Sequence, residues 1–179
     1  SSLSDAIEEV TAEAKPMSFS HVGIMVPNVD GSLVVLEATG DAVQYTALDS
    51  FLTRSLNTDR MPKVRVARLK EKHNARIEKA ISHGKSLVGS PYDPIYLMSD
   101  STYYCSELIY EMIKHSGDGS EIFKLDAMTF KDPKTGSFHP VWVDYYKELG
   151  VEIPEGKPGC NPNGMSESKE IDWVFDYSK

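Results

Sequence analysis

The chain predicts an α+β fold, an antiparallel sheet packed against helices, and three observations carry that expectation. Two β-rich runs, residues 21–26 (HVGIMV) and 33–38 (LVVLEA), flank a turn composition, Pro27-Asn28-Val29-Asp30-Gly31-Ser32, and read as a hairpin. Apolar residues at helical spacing follow, first Ile77, Ile81 and Leu87, then Leu108, Ile109, Met112 and Ile113. The resulting order of helix, hairpin, strand, helix, helix and tail suits an α+β domain built on an antiparallel sheet. With 179 residues the chain is expected to form one domain, 1–179, large enough to bury a core.

Each element has its own signal. Ser2-Leu3-Ser4-Asp5 has the form of a capping box, with Leu3, Ile7 and Val10 at helical spacing and Pro16 closing that helix. Residues 44–46 read as a weak strand and 48–56 as a short helix. Val64, Val66 and Leu69 alternate, which gives a strand over 63–69. The helix of 74–88 takes Gly89 as its C-cap, with Pro91 beyond. A loop containing Tyr92-Asp93-Pro94 leads to a helix that opens at Cys105 and ends near His115-Ser116-Gly117. Residues 138–149 make a further helix stopped by Gly150, 154–163 an extended loop with three prolines and two glycines, and 173–175 a final strand.

Composition narrows the function classes. A hydrophobic content of 40% with 26% charged residues is that of a globular chain. The net charge of −8 argues against a nucleic-acid partner, because phosphate affinity rests on clustered Lys and Arg. No apolar run approaches the roughly 18 residues of a membrane-spanning helix. Residues 1–20 lack the basic start and apolar centre of a signal peptide. The two cysteines, Cys105 and Cys160, form neither a disulfide framework nor paired metal ligands, so no metal and no cofactor is expected. A Cys105–Cys160 bridge is the formal alternative, and it would abolish any nucleophile.

Cys105 is the most informative residue. The turn-prone Ser99, Asp100, Ser101 and Thr102 run into the apolar stripe of its helix, which places the thiol at the helix start. Unpaired N–H groups and the positive end of the helix dipole there favour a thiolate, the nucleophilic form. The alternative is a small buried apolar residue. A thiol nucleophile needs a base, and the base an orienting group. Of five histidines, His73, His83, His115 and His139 suit solvent-facing or dipole-compensating positions, whereas His21 opens a strand. If Pro27 faces Gly31 across a three-residue loop, paired residues sum to 58 and His21 lies opposite Glu37, close enough for a carboxylate–imidazole bond. A two- or four-residue loop would put the pair on opposite faces. Glu37 is the one carboxylate in its apolar run, and the alternative is that it points to water.

With those residues in view, the chain resembles the YiiX/YaeF-like permuted papain-like amidases of the wider NlpC-type cysteine peptidase superfamily. The resemblance rests on Phe19-Ser20-His21-Val22-Gly23-Ile24, Leu36-Glu37-Ala38, Gly89-Ser90-Pro91-Tyr92-Asp93 and Tyr104-Cys105-Ser106-Glu107-Leu108, in that order, from about residue 4 to residue 114. It implies a circularly permuted papain-like fold, in which the strand histidine precedes the cysteine helix. It further implies Cys105 as nucleophile, His21 as general base and later acid, and Glu37 as the residue orienting the imidazole. Tyr92 matches the family's Pro-Tyr-Asp tyrosine, as a hydroxyl donor or cleft wall, with a packed loop aromatic as the alternative. Tyr104 is expected to pack under the helix, Glu107 to offset the dipole while pointing away from the thiol, and Cys160 to be incidental. Family members usually begin with a Gly-Asp-containing strand ahead of the first helix, a motif this sequence does not display.

The implied activity is amide hydrolysis through a thioester, on a peptide, cell-wall or acylated small-molecule substrate. An acyltransferase or lipid hydrolase with the same chemistry, and a catalytically inactive lipid- or peptide-binding module, are the alternatives. No obligate protein partner is implied. The resemblance points to a bacterial protein exported to the periplasm or cell envelope, with any signal peptide absent from this chain. The segment Gly159–Ser166 matches no motif, and a loop of that composition is expected to cover the site.

Overall fold

The computed structural model describes residues 6, 7, 10, 18–99, 101–117 and 122–179. The expected capping box of residues 2–5 and the stop at Pro16 lie outside them, while Ile7 and Val10 are helical. In chain order the elements are β1 (Ile24–Pro27), β2 (Leu33–Thr39), β3 (Ala42–Ala47), α1 (Leu48–Thr53), β4 (Arg65–Leu69), α2 (Asn74–Ser86) and α3 (Cys105–His115). They continue with β5 (Asp126–Ala127), α4 (Pro140–Leu149), β6 (Pro158–Gly159), α5 (Pro162–Ser166) and β7 (Ile171–Asp176). The antiparallel pairing is spread over three small sheets: a β1-β2-β3 meander, a β4-β7 pair and a short β5-β6 ribbon. The stretch read as an extended loop over 154–163 thus holds a strand and the start of a helix. Pro162 sits in the first turn of α5, and the Asn161 side chain caps it by accepting from the Gly164 N–H at 2.8 Å.

α3 forms the spine of the core. Its apolar stripe is wider than a surface helix needs, and Leu108, Ile109, Met112 and Ile113 are all buried. They pack with Leu36 and Ala38 of β2, Ala80 of α2, and Cys160 and Met165 of the tail. Each such side chain contributes roughly 1.5–3 kcal/mol on leaving water. α2 comes close to α3 because residue 84 is glycine: a Cβ there would lie 2.5 Å from Met112 Cε and 2.9 Å from Leu36 Cδ2. A second, aromatic cluster gathers Phe130, Trp142 and Tyr146 against Ala6, with Ile7 and Val10 packed on it. α4 supplies two of those residues and stops at Gly150 in a left-handed turn.

The hairpin corrects the expected register. Pro27 pairs with Leu33 and Ile24 with Leu36, so the loop holds five residues, 28–32, and partners sum to 60 instead of 58. The loop is longer because it closes on itself: the Asn28 N–H donates to Ser32 O at 2.8 Å, and Asp30 Oδ1 takes both the N–H and the hydroxyl of Ser32. A slip of two residues preserves the face. Gly23, not His21, therefore falls opposite Glu37 in the continued register, and His21 lies on the same face just before β1 begins. Gly23 leaves that crossing open, since a Cβ on it would stand 2.5 Å from Val35 Cγ1 and 3.3 Å from Glu37 Cβ.

Candidate active site

β2 is the centre strand of its sheet and is buried on both faces from Val35 to Ala38. Leu36 and Ala38 join the α3 core, while Val35 and Glu37 alternate to the other face. Glu37 is wholly buried, which excludes the water-facing alternative. Two groups meet it. His21 Nε2 lies 2.6 Å from Glu37 Oε2, and Arg54 Nη2, just beyond α1, donates to both carboxylate oxygens at 2.6 Å. Burial pushes the Glu37 carboxyl up, but His21, Arg54 and the Thr46 hydroxyl more than offset it and hold the group below its ordinary value. Sequence reasoning missed Arg54. Its only signal is indirect, because a carboxylate buried in an apolar strand requires a counter-charge.

Cys105 is the first residue of α3. Tyr104 before it is extended, with φ −89° and ψ 169°, which opens the helix and presents the thiol at its tip. Burial pushes the Cys105 thiol up. The His21 hydrogen bond and charge, then the N–H groups of Val22 and Ser106, outweigh that, and the thiol ends below its ordinary value. For His21 burial works downward, yet its bonds to Cys105 and Glu37 and their negative charges raise it to about 9. With Nε2 committed to Glu37, Nδ1 is the nitrogen left for the thiol. Both shifts favour the same pair, a thiolate beside an imidazolium.

The segment carrying Tyr92 is clamped into place. The Tyr92 N–H donates to Asp41 O at 2.9 Å, and Tyr103 exchanges backbone bonds with Pro91 and Asp93. These contacts set Tyr92 beside the chain that leads into α3. Two residues on, Asp93 is buried and accepts the N–H groups of Ile95 at 2.8 Å and Leu97 at 2.7 Å. That tight turn puts Tyr96 at φ 62°, a left-handed conformation uncommon for any residue but glycine.

Glu107 differs from the expectation that it serves the helix dipole. It is fully buried and folds back, so that Oε1 accepts the Ser99 N–H at 2.7 Å and Oε2 the Tyr104 N–H at 3.3 Å. It faces no cation in these bonds, and burial pushes its carboxyl up to about 8. The tail also has more to do than expected. Tyr104 Oη accepts the Cys160 N–H at 3.1 Å, Ser106 Oγ donates to Cys160 O at 3.0 Å, and Asn163 Oδ1 accepts the Phe19 N–H at 2.7 Å. It thereby ties the start of α3 to the segment that carries His21. Both cysteines are free thiols, so no bridge blocks Cys105.

A cavity of about 230 Å³ opens at this point. Its lining includes Cys105, His21 and Tyr92 together with the apolar Val10, Met128, Phe130 and Trp142, and Cys160 of the tail. The Trp142 Nε1 is buried without a hydrogen-bond partner. Among the described residues no cluster of three or more His, Cys, Asp or Glu is placed to hold a metal ion, and no helix is long and apolar enough to cross a membrane.

A family model described as permuted papain-like amidase enzyme, YaeF/YiiX, C92 family, matches residues 1–175. The crystal structure of metalloprotein YiiX from Escherichia coli O157:H7 superposes with a TM-score of 0.75 at 22% sequence identity, over 98% of this chain and 91% of that one. At that identity the likeness speaks for the fold, which is permuted papain-like. No curated protein matches the sequence.

Proposed function

The chain belongs to the permuted papain-like amidases of the YaeF/YiiX, C92 family, and on that premise we propose that it cleaves an amide bond through a thioester on Cys105. The observation that supports this most is the continuous relay from Arg54 through Glu37 and His21 to the thiol at the tip of α3. Glu37 and Cys105 are buried and His21 is half-buried, and polar groups enclosed in series are costly to a fold that only needs to pack.

In this reading the Cys105 thiolate attacks the substrate carbonyl, and the carbonyl π electrons move onto oxygen. N–H groups at the α3 start and the Tyr92 hydroxyl receive that oxyanion. As the C–N bond breaks, the His21 imidazolium gives its proton to the departing amine, leaving a thioester. Neutral His21 then takes a proton from water, the hydroxide attacks the thioester carbonyl, and the C–S bond breaks to restore the thiolate. Glu37, held ionised by Arg54, keeps the ring oriented and stabilises its charge.

The apolar side chains of the cavity lining, Val10, Met128, Phe130 and Trp142, support an acyl group as the part of the substrate bound there, and with it the second reading, transfer of that acyl group to an acceptor other than water. Incubation with octanoyl p-nitroanilide, then with an octanoyl ester, tests both by mass spectrometry of the quenched protein. An octanoyl adduct on Cys105 from the anilide, absent in Cys105→Ala, is expected. An adduct from the ester alone would favour acyl transfer between esters, and no adduct from either would sink the enzymatic reading in favour of a binding module.

A further inference from the structure

We propose that Asp126 is a specificity-determining residue and that the cavity takes amides whose acyl part carries an ammonium group. The proposal rests on the amidase reading and deepens it by naming a substrate class. It starts from the charges in the cavity wall. The charges of the site itself pair off, the His21 imidazolium with the Cys105 thiolate and Glu37 with the Arg54 guanidinium. Among the described lining residues there is no Lys or Arg, and Asp126 is the one remaining charged side chain. It is exposed, and no described residue donates a hydrogen bond to its carboxylate or forms an ion pair with it. A carboxylate left unmatched in a cavity wall attracts a cation and repels an anion, and the chain's net charge of −8 works in the same direction.

The fold ties that carboxylate to the start of α3. Asp126 pairs with Gly159 and Ala127 with Pro158, and Met128 continues the ribbon with backbone bonds of 2.8 Å to Lys157 and Gly156. Gly159 lets Met128 lie close, since a Cβ there would collide with Met128 Sδ. The next residue, Cys160, is bonded through its N–H to Tyr104 Oη and through its carbonyl to Ser106 Oγ, the neighbours of Cys105 on either side. Lys124 and Lys157, the lysines nearest Asp126 along the ribbon, form no ion pair with it and do not line the cavity. Glu155, the other carboxylate beside the ribbon, is already engaged: it accepts the Thr129 hydroxyl at 3.1 Å and the Phe130 N–H at 2.9 Å, and lies 3.5 Å from Lys131 Nζ. The segment that opens at Asp126 continues through Met128 and Phe130, part of the apolar lining assigned to the acyl group. One stretch of chain thus offers both apolar contact and a negative charge, which puts the substrate's positive charge on its acyl part. Phe130, Trp142 and Tyr104 add aromatic surface, to which alkylammonium groups are attracted.

Matched anilides test this: 8-aminooctanoyl against octanoyl p-nitroanilide, and 6-aminohexanoyl against hexanoyl p-nitroanilide. The readout is the ratio of kcat/KM within each pair, from p-nitroaniline release or, where turnover is slow, from the rate of adduct formation on Cys105. At one or both lengths the ammonium probe is expected to lead its neutral match about three- to tenfold. Added salt should narrow that lead, because an exposed charge is screened, whereas an apolar preference would not shrink. Asp126→Asn is expected to bring the ratio to about one and Asp126→Lys to push it below one. A residue that merely held the ribbon would slow both probes alike and leave the ratio where it was. A ratio of about one in the wild type at both lengths, or a lead that persists in Asp126→Asn, would overturn the proposal. No release and no Cys105 adduct from any probe would instead overturn the amidase reading, and this proposal with it.

Discussion

Cys105 and Cys160 line the same cavity, are both buried and both reduced, yet their thiols move in opposite directions. Burial pushes each of them up. At Cys160 burial outweighs the hydroxyls of Tyr104 and Ser106, the negative charges of Cys105 and Glu107 add to it, and the thiol is pushed up to about 12. Cys105 has His21 and two backbone N–H groups against its sulfur and ends below the ordinary thiol value. The two buried glutamates repeat the contrast. Glu37, with a guanidinium and an imidazole, is held down, while Glu107, with two backbone N–H groups, rises to about 8. Depth in the fold sets the cost of a charge, and a charged neighbour decides whether the charge survives.

The largest effect comes from separating the two thiols. Iodoacetamide near neutral pH is expected to label Cys105 and spare Cys160, so Cys105→Ala abolishes fast labelling while Cys160→Ala retains it. His21→Asn removes the imidazolium that holds the Cys105 thiol down. Its labelling profile should move to higher pH, with the rate near pH 6.5 falling roughly tenfold or more. A profile unmoved by that change would assign the thiol's acidity to the helix end alone.

The next effect sharpens the pair of glutamates. Arg54→Met leaves buried Glu37 with only His21 and the Thr46 hydroxyl, and amide turnover is expected to drop about tenfold, with Arg54→Lys recovering part of it. Unchanged turnover in Arg54→Met would reduce Arg54 to a surface contact. The smallest effect concerns Glu107. A carboxyl raised above its unfolded value stabilises the fold fully below about pH 4.5, and that contribution is lost as pH rises through about 8. Thermal unfolding should therefore show a fall in Tm between pH 5 and pH 8 that is shallower in Glu107→Gln. An identical slope in both proteins would place the pH dependence elsewhere.

The sequence made the helix tip and the hairpin legible because both depend on local signals: turn residues before an apolar stripe, and two β-rich runs around a turn. Parity also survived a wrong loop length, since His21 and Glu37 share a face whether partners sum to 58 or 60. Arg54, Asp126 and Cys160 were not legible. Arg54 and Asp126 owe their roles to tertiary neighbours, namely a buried carboxylate and the ribbon that β5 makes with β6. Cys160 stands 55 residues from Cys105, and only the folded tail brings it to Tyr104. The turn over 28–32 was misjudged because Asp30 and Ser32 close a wider loop through their side chains.

The wall contributed by β6 and Cys160 fixes when in the protein's own synthesis the cavity can exist. His21, Glu37, Arg54 and Cys105 all leave the ribosome before Pro158 does, so the growing chain carries the Cys105 thiol for some fifty residues with one side of its chamber unbuilt. Completion of the enclosure waits for β6 and Cys160 to be made, and until then the newborn polypeptide has no finished chamber around Cys105.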